Sequence, residues 1–206
     1  MDALPKRMIW LPPLEALIFL GVGLVIAAIA IPGLLSSERA SNERNASTSL
    51  KKLTSAEADF RANDRDGNHV NDFWTGDVSG LYYVKPVGGG SELRLIELDQ
   101  ANADAQPLFP LTPSRQPLKG YWFTALERDD SVPGPGGLYK LDTDKSGRKV
   151  HHESMFGFCA YPAHRSDGTF IFTVNENNTI FREARVDPRT AFPDDRELMN
   201  VPSGPN

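Results

Sequence analysis

The 206-residue sequence has a single cysteine, Cys159, and shows no cluster of lysine and arginine residues. One cysteine excludes an internal disulfide bond, so disulfides do not hold this chain together. The formal net charge is −5. Together with the absence of a basic cluster, this charge argues against a nucleic-acid-binding surface. We therefore predict that the protein has no nucleic-acid partner.

Long apolar runs are also absent, with one exception near the start of the chain. Segment 16–35 contains only apolar residues, glycines and Pro32. A helix of this length spans the hydrocarbon core of a bilayer, which requires about 20 residues. The run is too long for the apolar core of a cleavable secretory signal. We predict a transmembrane helix over residues 14–35.

Two basic residues, Lys6 and Arg7, precede the apolar run. Positive residues next to a membrane span tend to stay on the cytoplasmic side. Residues 1–13 are therefore predicted to form a basic cytoplasmic leader, and the remainder of the chain is predicted to be exported.

The chain after the apolar run favours a continued helix. Residues 36–63 contain no proline or glycine and are rich in helix-forming residues. Leu50, Leu53 and Phe60 recur at helical spacing, which predicts one face packed on a sheet. Residues 36–49 are polar on all sides, and we expect them to be solvated or shared with other subunits.

The order of these features resembles the N-terminus of type IV pilins and type II secretion pseudopilins. The resemblance rests on Glu15, on the run Ala27–Pro32 and on the long polar helix that follows. It implies a leader junction at Trp10 and Leu11, positions where the family has glycine and an N-methylated phenylalanine. It also implies that Glu15 neutralises the terminal amine of a neighbouring subunit and that Pro32 bends the helix.

The resemblance implies an α+β fold, in which a long N-terminal helix packs on a mainly antiparallel β-sheet head. The implied function is that of a structural subunit of a bacterial filament, with the membrane and other pilin-like subunits as partners. The implied location is the bacterial inner membrane, crossed once, with the C-terminal domain outside the cytoplasm. The alternative is a single-pass envelope protein that does not polymerise and displays a binding domain.

An acidic loop is predicted over residues 64–77. Oxygen-bearing groups alternate there in the manner of calcium ligands, and the candidate ligands are Asp64, Asp66, Asn68, Val70 and Asp72. The match to an EF-hand loop is partial, because His69 takes the place of the sixth-position glycine. The second interpretation is a turn that ends the helix, since aspartate, asparagine and glycine favour turns. The cofactor prediction is calcium.

The segment 78–187 is predicted to form an α+β globular head, followed by an irregular tail over 188–206. Short apolar and aromatic runs bounded by turn residues indicate strands. These runs are 80–84, 119–126, 137–141, 156–161, 169–174 and 179–184, with a helix over 91–105. Asn175–Asn178 is a four-residue turn that predicts a hairpin between the last two strands.

The last 90 residues or so resemble a module of exported bacterial proteins whose biochemical function is unknown. The resemblance rests on the runs 120–123, 156–162 and 170–175, and it implies a compact antiparallel sheet. Cys159 lies in an apolar run, where cysteine usually behaves as a small buried hydrophobe. His151 and His152 are adjacent, so on a strand they point to opposite faces. We predict no catalytic residues and no enzyme activity.

Overall fold

A computed structural model of the chain describes residues 14–110, 115–129 and 134–184. The predicted leader residues Trp10 and Leu11 lie outside the described residues, as does the predicted tail. One long helix, α1 (Leu14–Ala62), is followed by antiparallel strands and short helices. This arrangement confirms the α+β class.

The chain divides into two compact units, residues 1–38 and 39–206. The described part of the first unit is helical throughout, and Pro32 lies within the helix. The large apolar side chains between Leu17 and Leu35 are exposed. The helix is long and apolar enough to serve as a single membrane span or signal anchor, and its apolar window has no burial inside the protein.

The second unit contains a four-stranded antiparallel sheet in the order β2-β5-β6-β7. Its strands are β2 (Tyr121–Ala125), β5 (Gly157–Pro162), β6 (Phe170–Asn175) and β7 (Ile180–Ala184). All four lie where the sequence predicted strands. The turn between β6 and β7 closes with a hydrogen bond from Asn178 N to Asn175 O, which confirms the hairpin.

A smaller three-stranded antiparallel sheet has the order β1-β4-β3. It consists of β1 (Phe73–Trp74), β3 (Asp142–Thr143) and β4 (Lys149–His152). Strand pairs this short give little sequence signal, and the sequence did not predict them. This sheet positions the candidate site.

The apolar face of α1 is buried in the core of the second unit. Leu50, Leu53 and Phe60 are at most 1% exposed and lie in one cluster with residues of β2, β5 and β6. A second, smaller cluster contains Cys159, Tyr161 and Ile171. Cys159 and Tyr161 alternate along β5 with Phe158 and Ala160 of the first cluster, because successive strand residues point to opposite faces. The predicted helix face is confirmed.

Three predicted elements are wrong or too long. Residues 80–84 form no strand; Gly80–Tyr83 is a short helix, α2, that begins where buried carboxylates bind its backbone. The predicted helix over 91–105 is reduced to α3 (Leu98–Asn102). Residues 137–141 form no strand, and the nearest regular element is the 3₁₀ turn Gly134–Gly137. Tertiary contacts override local propensity in all three.

The polar stretch of α1 that falls in the second unit is not fully solvated. Asn42 Nδ2 donates to Asp167 O at 3.1 Å, and Arg39 Nε donates to Ser166 O at 3.0 Å. Glu43 accepts a 2.8 Å hydrogen bond from Thr169 N. Polar side chains thus fix this part of the helix to the turn before β6, so it is not fully solvated as the sequence predicted; contact of its exposed side with other subunits stays a prediction.

Candidate cation-binding cleft

The acidic loop after α1 is held by its own polar side chains. Asp64 accepts hydrogen bonds from His69 N at 3.2 and 3.1 Å. Asn68 Oδ1 accepts from Val70 N at 2.6 Å, and Asn68 Nδ2 donates to Asp72 Oδ2 at 3.2 Å. Gly67 has φ +68°, a left-handed conformation that glycine adopts without steric cost. These bonds are those of an Asx-rich turn.

The small sheet brings a histidine to this loop. Across the sheet, Trp74 pairs with His151, and His151 pairs with Asp142. Directly paired residues in antiparallel strands point to the same face. The His151 ring lies edge-on to the Trp74 indole, with 5.4 Å between ring centroids. The face of this sheet therefore carries an aromatic, an imidazole and a carboxylate in a row.

His151 lies between two carboxylates of the acidic loop. Its Nε2 is 3.7 Å from Asp66 Oδ2, and its Nδ1 is 3.5 Å from Asp72 Oδ2. All three side chains are buried. Burial disfavours the charged imidazolium, but Asp72 and then Asp66 outweigh it, so the pKa of His151 is raised. Burial raises the pKa of Asp66, and His151 offsets part of that rise.

Glu57 of α1 extends this cluster into the core. Its Oε2 accepts a 3.0 Å hydrogen bond from Trp74 N, and burial raises its pKa well above the usual range. Among the described residues, Glu57 Oε1 and Asp72 Oδ1 are buried atoms without a hydrogen-bond partner. A buried polar atom left unpaired costs about 1–3 kcal/mol. Such atoms in a native structure call for an explanation, and a ligand is one.

A cleft of about 610 Å³ opens beside this cluster. Asp66, Asp72 and His151, all at most 6% exposed, form its buried acidic floor. The other lining residues are apolar, uncharged polar or charged. The apolar group is Val70, Trp74, Val84, Val87 and Phe109, the uncharged polar group is Asn68, Thr143 and Ser146, and the charged group is Lys85, Asp142, Asp144, Lys145, Arg148 and Glu153. The size is typical of a small-molecule site.

The structure brings Asp66, Asn68, Val70 and Asp72 together at this cleft, and Asp64 lies in the same loop. In the part of the chain that the structure describes, however, no group of three or more histidine, cysteine, aspartate or glutamate residues is arranged to hold a metal ion. Most loop oxygens are engaged in hydrogen bonds or face His151. Calcium binding stays a prediction.

The other residues singled out by the sequence lie apart from the cleft. Cys159 is fully buried in β5, and burial raises the pKa of its thiol, so it is not poised as a nucleophile. His152 Nδ1 accepts hydrogen bonds from Ser154 N and Met155 N, both at 3.0 Å. Glu15 and Pro32 lie in the helix of the first unit.

Sequence reasoning missed one component of the site. It did not identify His151 as the partner of the acidic loop, because their contact depends on pairing between distant strands. Asp77, which the sequence offered as a further ligand of the acidic loop, lies outside the cleft lining, and so does Asp104, which the sequence did not indicate; both are at most 1% exposed. The segment 76–80, with aspartate and serine between two glycines, was a signal for a tight, hydrogen-bonded turn.

Comparisons of this chain with protein-family models, with curated protein sequences and with solved structures find no match.

Proposed function

We propose that this protein is a membrane-anchored, pilin-like structural subunit that acts by helix-mediated assembly. One observation carries the proposal. A single 49-residue helix has an apolar window with no burial inside the protein, whereas its C-terminal part is buried in an antiparallel sheet domain. A helix that is apolar on all sides requires lipid or other helices around it.

The sequence order supports the same proposal. Glu15 near the start of the helix and Pro32 within it match the pattern of pilins and pseudopilins. An acidic side chain inside a membrane is costly and usually has a partner. In the proposed assembly the partner is the terminal amine of a neighbouring subunit, and the apolar helices pack side by side.

The first test is the intact mass of the protein purified from membranes of its host. Cleavage between Trp10 and Leu11 with one methylation is the expected result. A chain that retains Met1 would instead favour the second candidate function below, because no free amine would then lie near Glu15.

The second test is replacement of Glu15 by alanine, with Glu38→Ala as the matched control. Glu38 is an exposed acidic residue of the same helix, beyond the apolar run. We expect Glu15→Ala to abolish recovery of filaments by shearing and sedimentation, and Glu38→Ala to leave it unchanged. Equal recovery from both variants would reject charge pairing at Glu15.

The second candidate function is a single-pass envelope protein that does not polymerise and displays a binding domain. The 610 Å³ cleft with its unpaired, buried polar atoms favours it. The two functions differ in two observables. Under the second, cross-linking in membranes yields monomers, and the intact mass shows that the protein retains its leader.

A further inference from the structure

We propose that the cleft beside the acidic loop binds a linear aliphatic diamine or polyamine, a ligand with ammonium groups at both ends of an alkyl chain. The proposal concerns the domain formed by residues 39–206 and does not depend on filament assembly. It follows from the floor of the cleft, from its rim and from its apolar lining residues.

The floor offers a place for one ammonium group. Asp72 is 3% exposed, lines the cleft, and has an Oδ1 atom without a hydrogen-bond partner among the described residues. Asp66 lies on the other side of His151. When both carboxylates are ionised, even a protonated His151 supplies only one positive charge to two negative charges. An ammonium donor satisfies both the charge and the unpaired oxygen.

The rim offers a second acidic position. Asp142 is exposed and pairs directly with His151 across β3 and β4, so both side chains point to the same face. Glu153, also exposed, follows the same strand. A ligand with one ammonium group cannot occupy the floor and the rim together, whereas a diamine can.

The overall charge of the cleft favours a cation. Five of its lining residues are acidic and three are lysine or arginine. Arg148 forms a 2.9 Å ion pair with Asp144, so these two charges offset each other and four carboxylates stand against two lysines. Lys85 and Lys145 are exposed, and their flexible side chains can move away from a bound cation.

The apolar residues of the cleft lining suit a methylene chain. They include Trp74, Val84, Val87 and Phe109. Aromatic rings attract cations through their π faces, and the Arg148 guanidinium lies 5.7 Å from the centre of the Phe109 ring. A bare metal ion would leave most of a cleft of several hundred Å³ empty and would not contact its apolar residues. An organic cation can fill the cleft and contact them.

The test is calorimetric titration of the full-length protein in detergent with 1,4-diaminobutane. Binding is expected, and Asp142→Asn is expected to weaken it at least fivefold. Asp142 is exposed, so this variant should fold normally. Asp72→Asn probes the buried floor and is expected to weaken binding more. Glu183→Gln, an exposed acidic residue of β7 outside the cleft, is the matched control and should bind like the wild type.

A second titration uses n-butylamine, which has the same carbon chain and one ammonium group. We expect at least fivefold weaker binding than for the diamine. Equal affinities would overturn the proposal, because the rim carboxylate would then contribute nothing. Calcium binding that Asp72→Asn abolishes, with no heat from the diamine, would also overturn it and assign the floor to a metal ion.

Discussion

The head contains two clusters of buried aspartates, and the clusters differ in how their oxygens are used. Asp77 and Asp104 accept hydrogen bonds from backbone N–H groups, a hydroxyl and an indole. Asp66 and Asp72 face a histidine and a cleft, and Asp72 keeps one oxygen unpaired. Burial is similar in both clusters. The hydrogen-bond inventory, rather than burial, separates a structural carboxylate from one that is available to a ligand.

The saturated cluster fixes a turn and the start of α2. Asp77 Oδ1 accepts from Trp74 Nε1 at 3.0 Å and from Gly80 N at 2.9 Å, and Oδ2 accepts from Leu108 N at 2.6 Å and from the Ser79 hydroxyl. Asp104 Oδ2 accepts from Ser79 N at 2.7 Å. Two segments of the head, around residues 77 and 104, are thereby joined.

The largest predicted effect is therefore that of Asp77→Ala. It leaves several buried donors without an acceptor, and each unsatisfied group costs about 1–3 kcal/mol. We expect the free energy of unfolding to fall by about 4 kcal/mol, measured by urea unfolding of the full-length protein in detergent with tryptophan fluorescence. The control is Asp99→Ala, which removes an acidic side chain at the start of α3. A loss below 1 kcal/mol would show that the bonds of Asp77 do not hold the turn.

The next largest loss of stability is expected when a glycine beside either aspartate cluster is replaced by alanine. A Cβ added at Gly80 would overlap the Trp74 indole and lie 2.6 Å from Asp77 Oδ1. We expect Gly80→Ala to cost about 3 kcal/mol through overpacking. Gly67 in the acidic loop has open space, with Val87 N as its nearest neighbour at 3.8 Å, but its φ is +68°. Gly67→Ala should therefore cost about 1 kcal/mol from backbone strain alone.

Thermal unfolding of both variants in parallel checks this order. A larger loss for Gly67→Ala than for Gly80→Ala would mean that the acidic loop is the more rigid of the two clusters.

The sequence predicted those parts of the fold that depend on local spacing. Leu50, Leu53 and Phe60 are buried as their helical periodicity indicated, and the turn at 175–178 forms the predicted hairpin. The short helix at Gly80 was mistaken for a strand because its aromatic residues favour strands. Its conformation is set instead by carboxylates from positions 77 and 104, contacts that propensity does not contain.

Of the two parts of the candidate site, the sequence predicted the acidic loop but not the small sheet. The acidic loop is contiguous in the sequence, and its alternating oxygens indicated a cation. His151 and Asp142 reach the loop through β3 and β4, which are two and four residues long. Pairing between such short and distant strands is decided by the packing of the whole head. The imidazole between Asp66 and Asp72 could therefore not be read from spacing.

The third prediction concerns pH. Burial, and then the charge of Asp77, raise the pKa of Asp104 to about 7. A carboxyl whose pKa is raised on folding contributes stability that is fully present below its unfolded pKa, about 3.9, and is lost as pH rises through 7. The pKa values of Glu57, Asp66 and His151 are also raised, so they act in the same direction.

We expect the free energy of unfolding to fall by roughly 2 kcal/mol between pH 5 and pH 8. Asp104→Asn should flatten this slope, because the amide does not titrate, although it lowers stability at pH 5. Urea unfolding of both proteins at several pH values measures the slope. An unchanged slope in the variant would mean that the pH dependence of stability arises from the cluster of Asp66 and Asp72 instead.

The smallest predicted effect concerns Glu57, which lies behind the acidic floor. Its pKa is raised by complete burial, so the neutral carboxyl is the form that the fold favours. Glu57→Gln keeps an oxygen to accept the hydrogen bond from Trp74 N and stays neutral. We therefore expect a change below about 1 kcal/mol at pH 5, because a neutral acid is replaced by a neutral amide.

At pH 8 the same substitution should be neutral or stabilising, since it removes the cost of ionising a buried carboxyl. Glu57→Ala is the contrasting variant and should cost more at both pH values, because Trp74 N then has no acceptor. If Glu57→Gln proved as damaging as Asp77→Ala, Glu57 would have to be ionised in the fold. The cluster of Asp66 and Asp72 would then contain a third buried negative charge, more than the single positive charge of a protonated His151 could balance.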